Sequence, residues 1–126
     1  METEIGKIGW IDITVDDATG LRDFYANVTG WKPEDVDMGE YADFNMTMPG
    51  SGTPAAGICH ARGGNAELPR QWLIYIVVAN ADDSAGRCET QGGKVLVGPK
   101  DMGGGRFAVI EDPSGAVAAL YQPPEP

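Results

Sequence analysis

The stretch Trp10–Trp31 recurs 63 residues later, at half the chain length: Ile11 lies over Ile74, Ile13 over Ile76, Val15 over Val78, Ala18 over Ala81 and Gly30 over Gly93. Each copy of such a repeat is a supersecondary unit that cannot bury its apolar face alone. The repeat therefore predicts two similar units within one domain spanning residues 1–126, with modules at about 6–62 and 70–123.

Each copy reads as a strand followed by a helix. Ile11, Ile13 and Val15 alternate with Trp10, Asp12 and Thr14, the period of a strand with two different faces. Asp16 or Asp17 can cap the following helix, Leu21, Phe24, Tyr25 and Val28 form one apolar stripe, and Gly30 ends it. In the second copy Asn80 to Asp83 supplies the cap, Ala81, Ala85 and Cys88 a thinner stripe, and Gly92-Gly93 the stop.

The rest of each half reads as strands. Glu34 to Asp37 is expected in an exposed turn or short edge strand, Tyr41 to Met48 as a half-buried strand, and Ala55 to Ala61 as a strand carrying the only histidine, His60. Residues 62–69 are a polar, Gly-rich linker. The second half follows with strands at 72–78, 94–97, 107–111 and 116–121 around a helix at 81–91. Gly103-Gly104-Gly105 precedes a strand, whereas a phosphate-cradling loop needs a helix N-terminus.

A net charge of −10 with nine scattered basic residues argues against a nucleic-acid partner, which requires clustered Lys and Arg. No apolar run approaches the ~18 residues of a membrane span, and the Met-Glu-Thr-Glu start lacks the pattern of a signal peptide. A cytoplasmic protein with no membrane partner is expected. Cys59 and Cys88 form neither a CxxC pair nor a disulfide framework and read as reduced packing residues.

The two βαβββ patterns, Phe24-Tyr25 five residues before Gly30-Trp31, Gly92-Gly93-Lys94-Val95-Leu96, and Gly105-Arg106-Phe107-Ala108-Val109 leading to Asp112-Pro113-Ser114-Gly115-Ala116 together resemble the vicinal oxygen chelate superfamily. That group includes glyoxalase I, bleomycin-resistance proteins and extradiol dioxygenases. The resemblance implies an α+β fold in which two βαβββ modules pair mixed sheets into a half-open cup, helices outside, holding a divalent metal or a small molecule. Fold membership alone does not choose among those activities.

The resemblance also locates the metal positions. The first-strand ligand falls on Trp10, its counterpart in the second half on Leu73, and the last, after the Asp-Pro-x-Gly turn, on Ala119. None of these side chains can donate electrons to a metal. The fourth position lies between Gly57 and His60, and one imidazole would not hold a divalent ion. No metal and no cofactor are therefore expected.

By the same alternation Ile11, Ile13, Val15, Ile74, Ile76 and Val78 pack beneath the helices, and Trp10, Asp12, Thr14, Leu73, Tyr75 and Val77 line the cup. An apolar, aromatic lining with a few polar groups suits a small molecule. The expected ligand-binding residues are Trp10, Asp12, Leu73, Tyr75, His60 and Ala119. Asp12 has three readings: it binds a polar ligand group, acts as acid or base, or pairs with an arginine such as Arg106.

Three functions follow: metal-independent binding of a small, partly apolar or aromatic molecule; a metal-dependent lyase or isomerase similar to glyoxalase I; and a regulatory interaction module whose cup is filled by its own side chains. Whether the chain is an enzyme is left open. The eight-residue linker reaches roughly 26–29 Å when extended, which permits modules to pair within or between chains. Exposed strand edges and the placement of Trp31 and Trp72 favour a homodimer.

Overall fold

The computed structural model describes residues 4–125. In chain order the elements are β1 (Ile8–Val15), α1 (Ala18–Thr29), β2 (Lys32–Asp37), β3 (Ala42–Thr47), β4 (Pro54–His60), a 3-10 turn at Gly63–Asn65, β5 (Leu73–Val77), α2 (Ala81–Thr90), β6 (Lys94–Met102), β7 (Gly105–Glu111) and β8 (Val117–Gln122). The chain is thus α+β and repeats βαβββ. The described residues divide into two compact units, 11–72 and 4–10 with 73–125.

The helices begin and end where local chemistry dictates. The Asp17 carboxylate accepts from the Gly20 N–H at 3.0 Å, and the Asn80 side chain accepts from the Asp83 N–H at 2.9 Å, each satisfying one N–H that a helix start leaves free. Asp82 and Asp83 in the first turn of α2 and Arg87 in its last complement the helix dipole. Gly30 takes φ +81° and returns its N–H to the Ala26 carbonyl, a left-handed stop that a side chain would strain.

In the unit of residues 11–72 the strand order is β2-β3-β4-β1. β1 runs parallel to β4 with Ile13 opposite Ile58, and β3 runs antiparallel to β4 with Phe44 opposite Ile58. That register puts Ile13, Phe44, Met46 and Ile58 on one side with Ala18 of α1, the apolar core of the unit. Leu21, Tyr25, Trp31 and Trp72 close over it. Tyr25 meets both tryptophan rings, and the Trp72 indole N–H donates to its hydroxyl at 3.0 Å. Ile11, expected beneath the helix, is instead 37% exposed.

β2 is a full six-residue edge strand, not a turn: Lys32 to Asp37 pair with Thr47 to Ala42. Its exposed charged side chains and Pro33 suit an edge, where they discourage pairing with another chain.

In the other unit the order is β5-β8-β7-β6, with β5 parallel to β8. Backbone bonds from Gly6 N–H to the Val77 carbonyl and from Val77 N–H to the Lys7 carbonyl tie the segment before β1 to β5. β6 runs on to Met102, beyond its expected end, and its register with β7 shifts twice. One shift passes Gly98, at φ +77°, where a Cβ would lie 2.7 Å from the Phe107 carbonyl oxygen, so no side chain fits.

Candidate functional site

The side of residues 11–72 away from α1 is polar. Asp12 and Thr14 of β1 and Asp43 and Thr47 of β3 alternate with the core residues and so share this helix-free face with Cys59 of β4, the Cα partner of Thr14. Those four are the buried polar or charged residues among the described ones; Asp12 is 8% and Asp43 7% exposed. A carboxylate taken this far from water needs hydrogen bonds or charge partners. The Asp43 Oδ1 accepts from the His60 backbone N–H at 2.8 Å.

Burial first, and then the negative charges of Asp12 and Asp43, push the Cys59 thiol up to about 12. A thiol so placed stays protonated at neutral pH and is no nucleophile.

His60 lies on the opposite side of this sheet from Asp12. It is the Cα partner of Val15, two residues after Ile13 and Ile58 in their respective strands, and thus faces the α1 side. Its ring stands edge-on to Tyr41 at 5.6 Å and tilted to Phe44 at 6.0 Å. Arg22 of α1 covers the Phe44 ring and Arg62 covers the Tyr41 ring. The His60 Nδ1 is 3.5 Å from Asp43 Oδ1, too far for a good hydrogen bond.

In the other unit, Arg106 reaches Asp82 of α2, and its cross-strand partner Gln122 accepts from the Ala81 N–H, so both mark the α2 side. Tyr75 and its Cα partner Ala119 fall on the other side with Leu73, Val77, Val109 and Tyr121. This second helix-free face is apolar and buried, Tyr75 being 2% exposed. Arg106, a candidate partner for Asp12, gives its fork to Asp82, Asp101 and the Pro99 carbonyl.

Of the six residues expected to bind ligand, the structure brings Leu73, Tyr75 and Ala119 together on one face. Trp10 is half-buried in β1, within the same unit. Asp12 lies in the other unit, and His60 shares that unit but faces the α1 side. Asp43 escaped the sequence reading; its signal was an acid between Ala42 and Phe44 in an otherwise half-apolar strand.

The metal donors of the resembling proteins do not fit. Trp10, Leu73 and Ala119 offer no lone pair of the required kind, and among the described residues no three of His, Cys, Asp and Glu come together to hold an ion.

A family model described as the Glyoxalase/Bleomycin resistance protein/Dioxygenase superfamily matches residues 7–120. The chain belongs to this superfamily. Within it, the anthracycline biosynthesis protein DauV of Streptomyces sp. (strain C5) is 31% identical over 133 residues, covering 93% of this chain and 47% of DauV. The chain thus spans about half the length of the curated relatives it matches. Among solved structures, methylmalonyl-CoA epimerase from Mycobacterium tuberculosis superposes with a TM-score of 0.53 at 17% identity, covering 100% of this chain and 93% of that one. A variant of the Streptomyces coelicolor methylmalonyl-CoA epimerase in complex with 2-nitronate-propionyl-CoA gives 0.53 at 18%, covering 94% of this chain and 98% of that one. At such identities the likeness is one of superfamily fold. No helix among the described residues is long and apolar enough to cross a membrane.

Proposed function

We propose that this superfamily member binds a small, partly aromatic molecule without a metal. The observation that carries the reading is the replacement of three metal-ligand positions by Trp10, Leu73 and Ala119, with no alternative donor group of three among the described residues. The helix-free face that carries Leu73 and Tyr75 offers the buried apolar and aromatic surface that such a ligand needs. Half-buried Trp10 offers an indole for a flat ring. The resemblance to a protein named for anthracycline biosynthesis makes planar, polycyclic aromatic compounds the first ligand class to examine.

The test is tryptophan fluorescence titration with an anthracycline in excess chelator. Saturable quenching, weakened about tenfold in Trp10→Ala, supports the proposal. Binding that disappears with chelator, or a reaction that nickel, cobalt, manganese or zinc restores, supports the lyase or isomerase reading instead.

The near-complete burial of Leu73, Tyr75, Val77 and Val109 favours a second reading, an interaction module whose own side chains occupy the binding space. Failure of a broad panel of aromatic ligands to bind would favour it over the first. Under either reading the chain is a cytoplasmic homodimer; a light-scattering mass near 13.3 kDa at micromolar concentration would refute the dimer.

A further inference from the structure

We propose that Arg62 and His60 form a binding site for the carboxylate of a small molecule, on the α1 side of the β3–β4 end and apart from the helix-free face. The chain carries a net charge of −10, and Arg22, Arg70 and Arg106 each hold a carboxylate. Arg62 meets none among the described residues. Its guanidinium carbon lies 4.1 Å above the centre of the Tyr41 ring.

A guanidinium attracted to a ring in this way can still give N–H groups to another partner, and a guanidinium pairs with both oxygens of a carboxylate. Arg62 continues the extended backbone of β4, at φ −143° and ψ 146°, two residues beyond His60. Both side chains therefore leave the same side of the chain. The Tyr41 ring links them, standing edge-on to the imidazole and lying beneath the guanidinium.

The His60 side chain is 19% exposed, and its Nδ1 is buried toward Asp43, so the exposure lies elsewhere on the side chain. The negative charge of Asp43 thus sits at the ring's buried edge.

His60 is the only histidine, so its imidazole resonances report on this site alone. Sodium benzoate should move them saturably at constant pH, while neutral benzamide should leave them in place. Arg62→Gln should weaken benzoate more than about tenfold, Arg62→Lys by less because it keeps the charge without the fork, and Arg70→Gln not at all. An inorganic phosphate arm as strong as benzoate would overturn the assignment to a carboxylate. No saturable shift, an equal response to benzamide, or wild-type affinity in Arg62→Gln would overturn the site. If Arg62→Gln does not fold, wild-type affinity in Arg62→Lys overturns the role given to the fork.

Discussion

Asp43 holds His60 by its backbone: Oδ1 accepts the His60 N–H at 2.8 Å while the imidazole Nδ1 stands 3.5 Å away. The regular β3–β4 ladder runs from Thr47 only as far as Phe44, and this side chain supplies a hydrogen bond just beyond it. Asp43→Ala should cost about 1–3 kcal/mol, because it strands a part-buried donor. Asp43→Asn, which keeps a carbonyl oxygen, should cost less. Urea denaturation followed by tryptophan fluorescence measures both, and an Asp43→Ala variant as stable as wild type would refute this role.

Burial first, and then the charges of Asp12 and Asp43, keep the Cys59 thiol protonated. In a Cys88→Ser background, iodoacetamide at pH 8 should alkylate Cys59 far more slowly in the folded protein than in urea. Asp43→Asn should speed the folded-state reaction, since it removes one of the charges that raise the thiol. Equal rates in folded and unfolded protein would contradict the assignment.

The same thiol contributes to stability at alkaline pH. Its folded value, raised from 9.0 to about 12, means that the folded chain holds this proton more tightly than the unfolded one. The contribution is fully present below pH 9.0 and is lost as the pH rises toward 12. Asp112 acts at the other end: bonds from the Ser114 hydroxyl and N–H and the Ala116 N–H lower it below 3.8, so its contribution is present above that value and is lost as the pH falls through its lowered range. Denaturation midpoints across pH should show Cys59→Ala flattening the alkaline limb and Asp112→Ala the acid limb.

Tyr25 joins α1 to the two tryptophans of its unit. Tyr25→Phe keeps the ring contacts but leaves the Trp72 indole N–H without its acceptor, and should cost about 0.5–1.5 kcal/mol. Tyr25→Ala also loses the packing and should cost about 3–5 kcal/mol. Chemical denaturation of the two variants separates the hydrogen bond from the ring.

Much of the fold could be read from the chain because local chemistry and the repeat agree. Asp17, Gly30 and Asn80 bound their helices as their side chains dictate, and alternation put Asp12 opposite Ile13. Lys32 to Asp37 did not announce a full strand, because an exposed edge strand needs no apolar residues; its order comes from pairing with β3. The long β6 was hidden by Gly98 and Pro99, turn-forming residues that here accompany a shift in register.

The site was less legible for the same reason. Which side His60 takes depends on its register with Val15, a long-range pairing that β4 alone does not encode. Asp43 looked like a solvent-facing residue because alternation separates two faces without saying which of them is wet. Its 7% exposure is not set by its neighbours in sequence.

We propose above that this superfamily member binds its ligand without a metal. The most direct measurement is quantification of divalent metals in protein purified natively, without chelator, and dialysed before assay. Far less than one ion per chain is expected, with no change in thermal stability when chelator is added. One tightly held divalent ion per chain, lost to chelator together with stability, would contradict the account.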